Sequence, residues 1–281
     1  EHNPMEIRNA TLSVIAQTLR QTHVVSSQIA AIGITNQRET TILWDRKTGK
    51  PVHAAIVWQD RRTASFTESL KKRGLEKRIR HKTGLVLDPY FSVSKIHWLL
   101  ENVPGLRKRA ERGEILFGTV ETWLLWKLTG GKVHATDFTN ASRTLLLNIR
   151  NKKWDSQLLK IFKIPRTILP EVKPSGSVYG KTVQQGSLRK GIPITALMGD
   201  QQAALYGQAC YKKGEAKNTY GTGCFLMENI GVRFQEPPFG LLTTLACDSS
   251  GKPVFALEGA VFIAGAAIQW LRDGLQFFKH A

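Results

Sequence analysis

Ala216-Lys217-Asn218-Thr219-Tyr220-Gly221-Thr222-Gly223-Cys224-Phe225-Leu226-Met227-Glu228-Asn229 is the stretch on which the fold turns. Ala216 to Tyr220 reads as a strand, Gly221-Thr222-Gly223 as a tight turn and Cys224 to Asn229 as the returning strand. Such a hairpin taken alone is more often only structural. Two glycines around a hydroxyl residue, however, let backbone N–H groups come close to phosphate oxygens. A Walker loop is excluded, because no Gly-Lys-Ser/Thr follows and no helix begins there.

Working outward, Leu241 to Cys247 and Pro253 to Glu258 read as further strands, and Val261 to Asp273 as a helix. Upstream, Pro193 to Gly199 is an apolar strand that ends on Asp200-Gln201-Gln202, with a helix expected over Ala203 to Gln208. Near the start, Ile7, Leu12, Ile15 and Leu19 give Met5 to Thr22 helical spacing. Ile29 to Ile34 then forms a continuous apolar run fit for a buried strand. The polar turn Asn36 to Thr40 follows, and strands are expected over Thr41 to Trp44 and Ala54 to Trp58. Helices are expected over Arg61 to Lys72, Val93 to Asn102 and Val120 to Leu128, the last closed by Gly130-Gly131. Strands interleaved with helices make the class α/β. A domain boundary is expected near Gln208 to Glu215, dividing the chain into 1–210 and 211–281.

The 281 residues are 42% hydrophobic and 22% charged, an ordinary globular balance. The net charge of +18 raises nucleic acid, anionic membranes and phosphate-bearing substrates as partners. The charges are dispersed over separate helix faces and turns, without an RNP-type strand, zinc-finger spacing or basic heptads, so no nucleic-acid partner is expected. Three cysteines, Cys210, Cys224 and Cys247, read as free thiols in a reducing, cytoplasmic compartment. The longest apolar stretch, Ala260 to Leu271, is interrupted by Gly265 and Gln269 and is too short to insert into a membrane. The seven histidines lack ligand spacing with one another or with Cys, so no metal site is expected. Both Glu1 and Ala281 read as interior cuts.

Arg38 and Glu39 stand side by side on the polar turn. Adjacent Arg and Glu are usually a surface pair, but buried strands on both sides put these two at a strand end, where functional groups gather in open α/β sheets. A guanidinium and a carboxylate match the donors and acceptors of vicinal hydroxyls, at about 1.5–3 kcal/mol for each charged hydrogen bond. Asp200, between strand and helix, reads either as an N-cap or as a base in a cleft. A carboxylate is too weak to deprotonate an alcohol in the ground state, yet it can accept the proton as a phosphoryl group is transferred. Trp58, Phe91 and Phe225 are candidates for an apolar wall.

At these residues the sequence resembles the glycerol kinase branch of the FGGY carbohydrate kinase family. The resemblance rests on Ile34 to Thr41, Tyr90 to Asn102, Gly199 to Ala204, Asn218 to Cys224 and Ala256 to Phe262, and it runs essentially end to end. It implies an actin-like ATPase (ribonuclease H-like) fold of two domains, in which the strand-turn-strand hairpin handles phosphate. Residues 1–210 would be the N-terminal, glycerol-binding domain and 211–281 the start of the C-terminal, ATP-binding one. Glycerol would be held by Arg38, Glu39, Tyr90, Asp200 and Gln201 with Trp58 and Phe225 on its apolar side, and Asp200 would be the base. Thr222, Gly221 and Gly223 would face the ATP phosphates, and Gly265 and Gln269 would lie along the nucleotide. The resemblance also implies Mg2+ as a cofactor and a homodimer or homotetramer. The family's first phosphate turn, with its Mg-linked Asp, is missing, as is its second Gly-rich segment. The fold is therefore expected truncated at both ends and this chain inactive alone. The alternatives are an FGGY kinase for another polyol or sugar, a non-catalytic glycerol-binding fragment and, more remotely, a basic nucleic-acid binder.

Overall fold

Helix α1 (Pro4–Gln21) begins where local chemistry dictates. The Asn3 side chain accepts from the Met5 N–H, and Pro4 occupies the first turn, where a missing donor costs nothing. The structure is a computed structural model that describes residues 1–238 and 240–280. After α1 come β1 (Ile32–Asn36) and β2 (Ile42–Asp45), followed by the helices α2 (Ala64–Lys72), α3 (Glu76–Thr83), α4 (Ser92–Asn102) and α5 (Leu106–Glu111). Strand β3 (Ile115–Gly118) pairs antiparallel with β2 and leads into α6 (Val120–Leu128). Short pieces follow: β4 (Ala135–Asp137), α7 (Phe138–Ala141), β5 (Leu147–Asn148), β6 (Lys153–Trp154), α8 (Ser156–Phe162) and β7 (Glu171–Lys173). Then β8 (Gly176–Lys181), β9 (Pro193–Gly199) and α9 (Asp200–Gly207) complete the first part. The last part is β10 (Ala216–Tyr220), β11 (Cys224–Gly231), β12 (Leu242–Cys247), β13 (Pro253–Val261) and α10 (Gly265–Asp273).

Two sheets organise these elements. One has the order β1-β9-β8, with β1 and β9 parallel and β8 antiparallel. The other is antiparallel, in the order β10-β11-β13-β12. One core, around Phe91, Phe117 and Phe162, holds the helical layer of α2 to α5 and α8 together. Another gathers Trp44, Trp123 and Trp126 beneath α1, α6 and the first sheet. The second sheet does not stand apart. Its Leu245 and Phe255 share a core with Ala141, Leu147 and Ile149, and its Met227, Ala246 and Ala256 share one with Leu205 of α9. At Gly84 (φ 73°), the cap of α3, backbone meets backbone: Thr243 of β12 donates to its carbonyl, and a Cβ there would lie 2.1 Å from the Thr243 carbonyl oxygen.

Several boundaries differ from the sequence expectation. Residues 54–58 form no continuous strand; Ala55 and Ile56 are buried in single bridges to His2 and Thr41, and the antiparallel contact with 41–44 is taken up again only at Val52 and Pro51. Helix α2 starts at Ala64 rather than Arg61, and α10 at Gly265 rather than Val261, because Val261 still pairs with Cys224 at the end of β13. Helix α9 already includes Asp200, so Gly199 occupies the capping position and Asp200 is not an N-cap. No helix among the described residues is long and apolar enough to cross a membrane.

Candidate active site

The polar turn after β1 is held in a backbone conformation its residue type disfavours. Glu39 has φ 61°, in the left-handed region, which costs a non-glycine residue about 1–2 kcal/mol. The turn persists because its side chains are fixed by buried partners. Arg38 Nη1 and Nη2 donate to the two carboxylate oxygens of Glu258 at 2.6 and 3.1 Å, and Nη1 also donates to Gln202 Oε1 at 3.1 Å. Its Nε lies 3.3 Å from Asp200 Oδ1. Arg143 Nε donates to Glu39 Oε1 at 2.6 Å, and its Nη2 to Glu258 Oε1 at 2.9 Å. All four of Arg38, Glu39, Arg143 and Glu258 are buried. Burial pushes the Glu258 carboxyl up, but the guanidiniums of Arg143 and Arg38 more than offset this and hold it at about 2. At Glu39 burial wins over the same two arginines, and the carboxyl is pushed up.

Asp200 opens α9 from the end of β9, where the helix dipole favours an anion. That strand end is pinned from behind: the Gly199 N–H donates to Thr139 Oγ1 at 2.8 Å, and Thr139 Oγ1 donates to buried Asp137 at 2.6 Å. Oδ1 of Asp200 accepts from the Gln201 N–H at 2.7 Å, and its side chain is 44% exposed, so it is the accessible carboxylate of the group. Lys217 of β10 donates to Gln201 Oε1, to Thr219 Oγ1 at 2.8 Å and to the Phe225 carbonyl at 3.0 Å. Burial, helped by nearby Arg38, lowers its ammonium to about 8. Tyr90 is carried on a segment whose three carbonyls, from Pro89, Tyr90 and Phe91, all accept from the buried ammonium of Lys95. Its ring stands edge-on to Trp58, with centroids 5.6 Å apart.

Arg38, Glu39, Trp58, Tyr90, Asp200, Gln201 and Phe225 line one cavity of ≈ 70 Å³. These are the seven residues expected from sequence to hold a polyol. At about 10–15 Å³ for each water-sized occupant, there is room for about five to seven heavy atoms. Phe91 is buried behind Tyr90 and lies outside this lining. Arg143, Glu258, Gln202, Lys217 and Lys95 escaped sequence reasoning. Glu258 left two signals, its place in the matched segment Ala256 to Phe262 and a lone charge within an otherwise apolar strand.

The Gly221-Thr222-Gly223 turn joins β10 to β11 and leans on the start of α10. The Gly265 N–H donates to the Gly221 carbonyl at 3.0 Å, and the Ala264 N–H to the Thr222 carbonyl at 2.8 Å. Two glycines are demanded by this approach: a Cβ at Gly223 would lie 2.7 Å from the Val261 carbonyl oxygen, and one at Gly265 2.5 Å from that of Gly221. Thr222 at the tip is exposed, beside a helix N-terminus suited to anions. Gln269 is exposed one turn further along α10. Among the described residues no three His, Cys, Asp or Glu side chains converge as a metal cage. A Mg2+ ion held mainly by nucleotide phosphates and water needs no such cage.

The family model described as "FGGY family of carbohydrate kinases, N-terminal domain" matches residues 1–207. The chain is 58% identical over its whole length to a glycerol kinase of Carboxydothermus hydrogenoformans and covers 56% of it. It is 54% identical, over 99% of its length, to a glycerol kinase of Bacillus subtilis and again covers 56%. The chain thus spans little more than half the length of these relatives. Among solved structures, a Plasmodium falciparum glycerol kinase with ADP superposes with a TM-score of 0.90 at 40% identity, over 98% of this chain and 55% of that one. A gluconate kinase from Lactobacillus acidophilus shares the fold, with a TM-score of 0.84 at 22% identity over 100% of this chain and 55% of that one.

Proposed function

Given that the chain belongs to the FGGY family of carbohydrate kinases and has their actin-like, ribonuclease H-like α/β fold, we propose that it is the glycerol-binding part of an ATP-dependent glycerol kinase. The product is sn-glycerol 3-phosphate. One observation carries the reading: the ≈ 70 Å³ cavity collects a guanidinium, two carboxylates, an amide and a phenol against two aromatic rings, in space for a six-heavy-atom polyol. Glu39 offers its carboxylate to a glycerol hydroxyl while Arg143 holds the other side of the group. Trp58 and Phe225 cover the carbon skeleton. Asp200, exposed and held beside Arg38, orients the attacking hydroxyl and takes its proton as the bond from phosphorus to the leaving oxygen breaks. Thr222 and the turn glycines face the ATP phosphates, with Gly265 and Gln269 beside the nucleotide. Mg2+, bound with ATP, would neutralise phosphate charge; among the described residues no three His, Cys, Asp or Glu side chains form a cage for it.

The test is calorimetry of the chain with glycerol and with Mg-ATP, together with turnover in a protein of the relatives' length. Arg38→Met should abolish the glycerol heat. Asp200→Asn should leave glycerol binding largely intact and remove turnover, and full activity in that variant would take Asp200 out of the base role. Glycerol binding unchanged in Arg38→Met would overturn the assignment of the cavity.

A further inference from the structure

Beside the polyol cavity lies a larger one of ≈ 260 Å³, and Trp58 and Tyr90 line both. Phe262, just past the end of β13, lines the larger cavity. Its ring lies 6.4 Å from that of Trp58, 5.5 Å from Tyr90 and 6.5 Å from Phe225, which lines only the smaller one. The Phe262 ring therefore stands where the two cavities would join. The larger cavity is not simply apolar. Asp60 is taken up by Arg62, which approaches it at 2.9 and 2.7 Å, and Asp88 Oδ1 accepts from the Tyr90 N–H at 2.8 Å. Asp88 Oδ2 and the Gln59 amide remain to meet hydroxyl groups, as in the smaller cavity, with Arg61 beside them, its Nη1 3.8 Å from Asp88 Oδ1.

We propose that Phe262 sets the length of polyol the site accepts, by closing off a second hydroxyl-binding subsite that would take the fourth and fifth carbons of a longer chain. The proposal rests on the polyol reading of the smaller cavity. Two more hydroxylated carbons bring four heavy atoms, about 40–60 Å³ at the same packing, which the larger cavity holds and the smaller does not. Phe262 is 54% exposed and follows a strand end, so its removal takes no support from either core.

The experiment compares glycerol, erythritol and xylitol binding to the wild-type chain, Phe262→Ala and Phe262→Leu by calorimetry, with a melting curve for each protein. In the wild type, glycerol should bind better than erythritol. Phe262→Ala should narrow that ratio at least tenfold, chiefly through tighter erythritol binding, with Phe262→Leu in between. Adding Asp88→Asn to Phe262→Ala should cancel the gain, since the amide keeps the acceptor for Tyr90 but loses the free carboxylate oxygen. A wild-type ratio in both Phe262 variants, or a gain that survives Asp88→Asn, overturns the proposal while leaving the polyol reading intact. A wild-type chain that binds none of the three overturns the polyol reading itself.

Discussion

Lys217 places an ammonium behind two residues of the cavity wall, Gln201 and Phe225; its partners among the described residues are an amide, a hydroxyl and a carbonyl, with no carboxylate. Because it loses its proton at about 8 rather than near 10.5, it changes charge within reach of ordinary assay conditions. Above that pH the hold on Gln201 and on the Phe225 carbonyl weakens by the difference between a charged and a neutral hydrogen bond, about 1 kcal/mol. Glycerol affinity should then fall roughly fivefold between pH 7 and 9. A titration by calorimetry checks this, and Lys217→Met should bind weakly with no inflection near 8. Residues differ in how far sequence revealed them. Arg38 and Glu39 were legible because charge at the end of an apolar run is locally anomalous. Arg143 and Glu258 were not, because each is explained only by partners more than a hundred residues away.

At the scale of elements, the turn of β10 and β11 and the start of α10 act as one unit, since their backbones touch. Gly265→Ala would drive a Cβ to 2.5 Å from the Gly221 carbonyl oxygen, whereas the nearest atom to a Cβ at Gly221 lies at 3.8 Å. Overpacking of this kind costs about 1–3 kcal/mol. Melting curves should therefore show a lower midpoint for Gly265→Ala and little change for Gly221→Ala, and calorimetry should show weaker ATP binding in the former. The hairpin was legible because Gly-Thr-Gly between two β-prone runs admits few other structures. The start of α10 was not: Val261, Phe262 and Ile263 suit strand and helix alike, and only the pairing of Val261 with Cys224 decides. The same ambiguity hid the fate of residues 54–58, which meet their neighbours only through single bridges, to His2 and to Thr41.

Across the whole molecule, Glu258 bolts the second sheet to the first part of the chain through Arg38 and Arg143, and the shared cores around Leu245 and Leu205 do the same with apolar contacts. Unfolding should accordingly be one cooperative transition. Glu258→Gln should lower its midpoint, since breaking one side of a buried pair costs about 3–5 kcal/mol. The acid limb follows from the depressed carboxyl. In the unfolded chain Glu258 takes up its proton around its ordinary 4.5 and in the folded one only around 2. Its stabilisation is thus fully present above 4.5 and is lost as the pH falls through 2, and the variant should lack this part of the acid sensitivity in a melting series. One edge bears on handling the protein. Among the described residues strand β1 ends its sheet, bonded to β9 on one side only. A row of open donors and acceptors of this kind can recruit another copy. Light scattering should therefore show concentration-dependent association. Thr35→Lys, which sets a charge on the exposed face of that edge, should suppress it, making colloidal behaviour a readout of strand geometry.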